Sequence, residues 1–321
     1  MSGVDPFAVR DLLGPDAAVC RRAVTGEHGI ALPPLHNHHV HTHLVDVADM
    51  PAGGIAAVVD LGGDPVVLAR QSARALPRLA YAGAFLTAPG GYPSGRVWAP
   101  DTILREVVGG GAVGTAGGVA TAVDEQISFG ASLIKVALNA ATGPVPNSET
   151  IAEIVAVAHD RGLPVVAHVE GDDMTAVAVR AGADALAHVP FTEMPAELIP
   201  DAAQHQVWIS TLRIHEGVDR ERAIANAAAF VAAGGRLVYG TDLGNGDQPL
   251  GVDLAELRAL EEAGLRGAAL VAALTDPWPL AAAPAGVATY VAGPPPAGPD
   301  EVAEWLTGAV VVPTEELVHD E

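Results

Sequence analysis

Ser132-Leu-Ile-Lys-Val-Ala-Leu-Asn139 holds the only lysine of the chain; every other cationic side chain is arginine. The stretch is an apolar run of strand length, where an unpaired ammonium would be costly to bury. Lys135 therefore needs either a partner or a chemistry in which it is not an ammonium. Similar runs lie on both sides of it. Gly54-Ile-Ala-Ala-Val-Val-Asp-Leu-Gly62 and Leu79-Ala-Tyr-Ala-Gly-Ala-Phe-Leu86 precede it. Leu163-Pro-Val-Val-Ala-His168, Ala185-Leu-Ala-His188, Val207-Trp-Ile-Ser-Thr211 and Leu237-Val-Tyr-Gly-Thr-Asp242 follow. Amphipathic segments at 148–161, 174–181 and 220–233 separate the later runs, and further helices are expected at 254–263 and 266–274. Strands alternating with helices suggest parallel βα units, and eight of them suggest an α/β fold of the (β/α)8 barrel type.

The totals set limits. A chain of 321 residues is compatible with one such barrel. Half the residues are apolar but only 4% are aromatic, so the core must be built from Ala, Val and Leu. A net charge of −22 argues against binding nucleic acid or an anionic membrane, both of which require a basic face. One cysteine, Cys20, excludes an internal disulfide and a Cys-rich zinc site. The first residues lack the layout of a signal peptide, and no apolar run approaches the ~20 residues of a membrane span. A cytoplasmic protein is expected, acting on a small molecule and possible as a homo-oligomer.

The termini are less regular. Short helical patterns fall at 7–13 and 17–23, and a Pro/Ala-rich stretch runs over 277–299. Strand-like runs at 288–292 and 309–312 flank a helical segment at 300–306. The organisation expected is an N-terminal extension (1–30), a barrel (31–275) and a C-terminal appendage (276–321). Gly109–Gly118 lacks the Gly-Lys-Ser/Thr ending of a phosphate loop and is expected to be a plain connection.

In a barrel of this kind the active site lies at the C-terminal ends of the strands. The polar residues there are Lys135, His168, His188 and Asp242, together with the cluster Leu35-His-Asn-His-His-Val-His-Thr-His43, which holds five of the twelve histidines. A single histidine at a strand end is more often a satisfied structural residue. Several at one rim suit a borderline divalent metal such as zinc. Loop residues that could contact a substrate are Tyr92, Arg96 and Trp98 after the third strand, then Glu170, Glu193, Arg213 and His215, with Asn245 a weaker candidate.

Gly130-Ala-Ser-Leu-Ile-Lys135, Gly162-Leu-Pro-Val-Val-Ala-His168, Ala181-Gly-Ala-Asp184 leading to His188, and Gly240-Thr-Asp242 resemble, in order and spacing, the amidohydrolase superfamily. The branch is that of the prolidase-like and imidazolonepropionase-like enzymes, and the resemblance covers about residues 34–275. It implies a metal-dependent hydrolase of amide, lactam or related C–N bonds. By the same resemblance, Lys135 is carboxylated by CO2 and its carbamate bridges two divalent metals, removing the difficulty of a buried ammonium. Two first-strand histidines with Asp242 hold one metal, and His168 with His188 the other. A water between cations about 3.5–4 Å apart is activated, and Asp242 takes its proton and passes it to the leaving amine.

The first strand departs from the family's Asp-x-His-x-His pattern. In one register Asn37 stands at the Asp position and His39 with His41 are ligands. In the other His39 stands there and His41 with His43 bind. Alternation puts 37, 39, 41 and 43 on one face, so parity does not separate them; Asn is the closer mimic of Asp, which favours His39. His36 and His38 are expected to pack against the helices. The termini are short for the β-sandwich that many relatives carry, so a reduced β-appendage is expected. A lactonase or esterase, a mononuclear deaminase and a non-catalytic metal-containing binding barrel are the competing readings. His168-Val-Glu170 has the wrong spacing for the His-x-x-Glu of the deaminases.

Overall fold

Apolar runs buried on both faces form the strands of this protein, seen in a computed structural model that describes residues 4–112, 114–195 and 197–319. From the N-terminal end come β1 (Ala18–Arg22), β2 (His28–Leu32), β3 (Leu35–Val40), β4 (Ile55–Asp60) and β5 (Arg78–Tyr81). There follow β6 (Phe85–Thr87), β7 (Leu104–Glu106), β8 (Ile134–Asn139), β9 (Val165–Glu170) and β10 (Ala185–Leu186). The last are β11 (Val207–Ile209), β12 (Arg236–Val238), β13 (Val287–Ala292), β14 (Ala309–Pro313) and β15 (Leu317–His319).

Parallel pairing, which requires long crossovers, joins β12-β11-β10-β9-β8-β6-β7 into one sheet and β3-β4-β5 into another. Backbone links run between the two sheets. The third expected strand is broken at Gly83 into β5, which pairs with β4, and β6, which pairs with β8. Gly83 has φ 77°, and a Cβ there would stand 2.2 Å from Gln126 Oε1. That oxygen accepts the Ala84 N–H at 2.8 Å, so the kink is held from the helix Val119–Ser128. On the other side, His38 N donates to Tyr239 O at 2.9 Å and His41 N to Leu243 O at 2.8 Å. Every residue of β3, β4 and β8 is buried, as expected for parallel strands covered on both faces.

Side-chain caps fix several helix starts: Asp64 accepts Val66 N, Asn147 accepts Thr150 N, and Asp253 accepts Ala255 N. The helices pack outside the sheets; Trp208 of β11 stacks on Phe230 of the helix Gly217–Ala232 with ring centroids 3.9 Å apart. A second apolar cluster draws Val59, Ala80, Val166, Ala185, Ile209 and Val238 from both parallel sheets, with Trp278 and Leu280 against it.

Both termini build one antiparallel sheet, β14-β13-β2-β1-β15. This is the expected β-appendage, and it corrects one local expectation. Residues 17–23 form no helix: β1 runs through them, paired with β2 and β15. Backbone hydrogen bonds to segments far along the chain override a weak local propensity there. β2 also straddles residue 30, so the extension and the barrel segment share a strand. Residues 1–3, 113, 196, 320 and 321 lie outside the described residues. No helix among the described residues is long and apolar enough to cross a membrane.

Candidate metal centre

A cavity of 620 Å³ opens at the C-terminal ends of the parallel strands. His39, His41, Lys135, His168, His188 and Asp242 all line it, as do Tyr92, Trp98, Glu170, Arg213, His215 and Asn245. Arg96 and His43 do not line it, and Glu193 is exposed elsewhere. Arg96 is exposed too, its guanidinium 5.9 Å from the Tyr92 ring.

Donor atoms of His39, His188 and Asp242 all lie within 4.8 Å of one another, the spacing of a metal-ligand group. His41 joins them: Asp242 Oδ1 is 3.2 Å from His39 Nε2 and 3.3 Å from His41 Nε2, and the two Nε2 atoms are 3.3 Å apart. The rings are held from behind. His39 Nδ1 donates to Ala187 O at 2.8 Å and His41 Nδ1 to Gly62 O at 3.1 Å. A carbonyl can only accept, so in the neutral ring the proton sits on Nδ1 and the Nε2 lone pair faces Asp242. His188 Nδ1 lies 2.9 Å from Thr211 Oγ1 in the same manner.

Burial acts on every one of these groups. It holds the His39 and His188 imidazoliums well below their ordinary range. At His41 burial pulls the same way, but the Asp242 carboxylate outweighs it and the group rises. Burial would raise Asp242; the His39, His41 and His188 rings overcome it and hold the carboxyl well below the usual range. Asp242 thus stays charged, with Oδ2 accepting from Asn245 Nδ2 at 3.0 Å. Its φ of 56° is left-handed, an arrangement that costs a non-glycine residue about 1–3 kcal/mol. Thr211 is left-handed as well, at φ 45°.

Lys135 is buried, and no carboxylate reaches its Nζ within ion-pair distance among the described residues. Phe85 lies under it, with the ring centroid 5.9 Å away. Burial brings the amine down to about 7 against the pull of Asp242 and Asp60. His168 is placed differently from the other histidines. Its Nε2 turns toward Asn139 Nδ2 (3.4 Å) and Glu170 Oε2 (3.5 Å), and its ring stacks on Tyr92 with centroids 5.0 Å apart. Burial first, then the charges of Asp242 and Glu170, push the Tyr92 hydroxyl up to about 12, so it remains a donor.

β3 ends at Val40, and His43 falls in the turn beyond it, stacked on Trp98 at 6.1 Å with no ring nitrogen at Asp242. His38 is bound at both ring nitrogens by the carbonyls of Tyr239 and Asp276, and His36 stacks on it. Asn37 bonds to the backbone of His39 and not to the ring or carboxylate donors of the metal-type group. Its amide donates to Thr241 Oγ1 at 2.7 Å and its oxygen accepts the His39 and Thr241 N–H groups, tying β3 to the segment after β12.

Several contributors were not singled out in the sequence. Asp60 accepts Thr42 N, Thr42 Oγ1 and Gly62 N, fixing the turn behind His41. Glu256 accepts Leu212 N and Arg213 N, fixing the turn behind Thr211. Phe85 and Phe191 line the cavity. Asp60 ends its strand run, a signal that could have found it; Glu256 sits in the first turn of the helix Leu254–Glu262, where an acidic residue is ordinary and points to no site.

No protein-family profile matches the chain, and no curated protein matches it in sequence. Solved structures do match. A Xaa-Pro dipeptidase is 19% identical with a TM-score of 0.63, over 90% of this chain and 87% of its own. Molinate hydrolase is 16% identical with a TM-score of 0.64, over 90% and 83%. Phenylurea hydrolase B is 14% identical with a TM-score of 0.64, over 90% and 85%. This chain has the fold of these hydrolases.

Proposed function

We propose that this protein is a metal-dependent hydrolase of an amide or related C–N bond in a small molecule. The observation that carries the reading is the packing of His39, His188 and Asp242 donor atoms within 4.8 Å of one another, with His41 Nε2 3.3 Å from both Asp242 Oδ1 and His39 Nε2. Three imidazoles whose Nδ1 atoms are engaged from behind, facing one charged carboxylate, suit a divalent transition metal such as zinc. In this reading the parallel strands form a (β/α)8 barrel, supported by the bonds joining β3 to the segment after β12 and by the apolar cluster shared between the sheets.

His39, His41, His188 and Asp242 would hold one metal. Lys135, as a carbamate, and His168 would complete a second position. An amine held near 7 is largely uncharged slightly above neutrality, the form that adds CO2, and the negative charge of the resulting carbamate would be compensated by the cations bound there. Bound there, the cations would supply an activated water and polarise the substrate carbonyl. Asp242, kept ionised by its three histidines, accepts the proton of the attacking water and returns it to the leaving nitrogen. Tyr92 presents a protonated hydroxyl and, with Trp98, positions the substrate. The same attack would cleave an ester or lactone. A mononuclear centre is the second reading, since the tight donor group is that of a single metal.

Metal analysis after reconstitution with zinc and bicarbonate tests this. Nearly two equivalents, a carbamate signal from ¹³C-bicarbonate, and turnover within a panel of N-acyl amino acids, anilides, cyclic imides and lactones are expected. One equivalent with no carbamate would favour the mononuclear centre. Metal-free protein under those conditions would sink the proposal.

A further inference from the structure

We infer that the substrate carries no free carboxylate: this cavity takes an uncharged carbonyl compound with an aromatic or apolar flank. The inference rests on the hydrolase reading and narrows its substrate class. The strongest recognition of a carboxylate in a confined site comes from a Lys or Arg with an open valence. Lys135 and Arg213 are the only Lys or Arg residues lining the cavity among the described residues. Lys135 is committed to the metal centre and would be anionic there.

Arg213 is already paired. One guanidinium nitrogen contacts Asp253 Oδ2, and another donates to Asp247 O at 3.3 Å. Asp253 has a side chain only 3% exposed and also caps the helix Leu254–Glu262. Turning Arg213 toward a substrate would leave that buried carboxylate unpaired, which is strongly destabilising. Arg96 is exposed and does not line the cavity.

The remaining charge points the other way. Glu170 and Asp247 line the cavity beside Asp242, and neither is paired with Lys or Arg. Apolar surface is supplied by Phe85, Tyr92, Trp98 and Phe191, which meet His41, His168 and His215 ring to ring. A planar neutral group stacks there without losing hydration of a charge, whereas a carboxylate would lose hydration and face like charge.

Matched pairs test this: 4-acetamidobenzoate against 4-acetamidobenzamide, and N-acetylphenylalanine against its amide, with zinc-loaded protein. Both kcat/KM and calorimetric Kd are measured. The carboxamide member is expected to lead by at least tenfold. A carboxylate member that is bound or cleaved as well or better, or no binding by either, overturns the inference. Absence of turnover throughout sinks the hydrolase reading instead, while the Kd ratio still decides the charge preference.

Discussion

Glu256→Gln isolates a buried carboxyl that lies under the site and takes no part in it. Burial raises Glu256 to about 7 from 4.5, against the opposing pull of the Ser210 hydroxyl and of the Arg213 and Leu212 N–H groups on its two oxygens. Between those values the folded protein keeps the proton that the unfolded chain has lost, so stability falls as pH rises through that window. At 1.36 kcal/mol per pH unit the full loss is roughly 3 kcal/mol. It is absent below 4.5 and complete above about 7. The glutamine variant has no such loss, but its amide nitrogen faces one of the two N–H donors, an unmet group worth about 1–3 kcal/mol. Below pH 4.5 the wild type should therefore be the more stable; above pH 7 the two should reach parity or reverse. Urea unfolding of metal-free protein at intervals from pH 4 to 8 measures the difference, from which all other titrations cancel. A difference that stays constant within 1 kcal/mol across the series would refute the reasoning.

Other perturbations bear on the centre directly. Thr211→Val removes the partner of His188 Nδ1 while keeping the β-branch, and metal affinity measured against a competing chelator should fall by about 10–100-fold; Thr211→Ser should retain it. Lys135→Met should abolish the ¹³C-carbamate signal and at least one equivalent of metal by elemental analysis. Because it replaces an unpaired buried amine, the metal-free variant should unfold at an equal or higher urea concentration. Asp242→Asn should fold normally by circular dichroism, since Asn tolerates the left-handed backbone at that position. Its kcat should drop by about 10²–10⁴-fold through loss of the proton acceptor.

How much of this was legible in the sequence depended on whether the deciding contact was local. β4, β8 and β9 announced themselves because strands covered on both faces must be apolar throughout, and a polar residue at such a strand's end stands out. That contrast marks His168, His188 and Asp242; Lys135, the second residue of β8, stands out as the only lysine in an apolar run. β1 was misread because its partners, β2 and β15, include one from the far end of the chain, and nothing in residues 17–23 records that pairing. The break between β5 and β6 depends on Gln126, forty residues on, reaching back to Ala84.

The same limit governs the site. Strand parity left His39 and His43 equivalent, and only the end of β3 at Val40 separates them, because a residue in the following turn no longer obeys the alternation. Asn37 is expected only to occupy the family's Asp position, and its amide is spent on Thr241 and the His39 backbone. Arg213 and Arg96 are equal candidates for substrate contact when only loop position is known. Asp253, forty residues beyond Arg213, occupies the first, and exposure removes the second from the cavity. A residue's type can thus be read from the chain, but whether its valence is still open is settled by partners that the local sequence does not mark. For a site whose specificity turns on one unpaired charge, that is the difference between an anion-binding pocket and a neutral one.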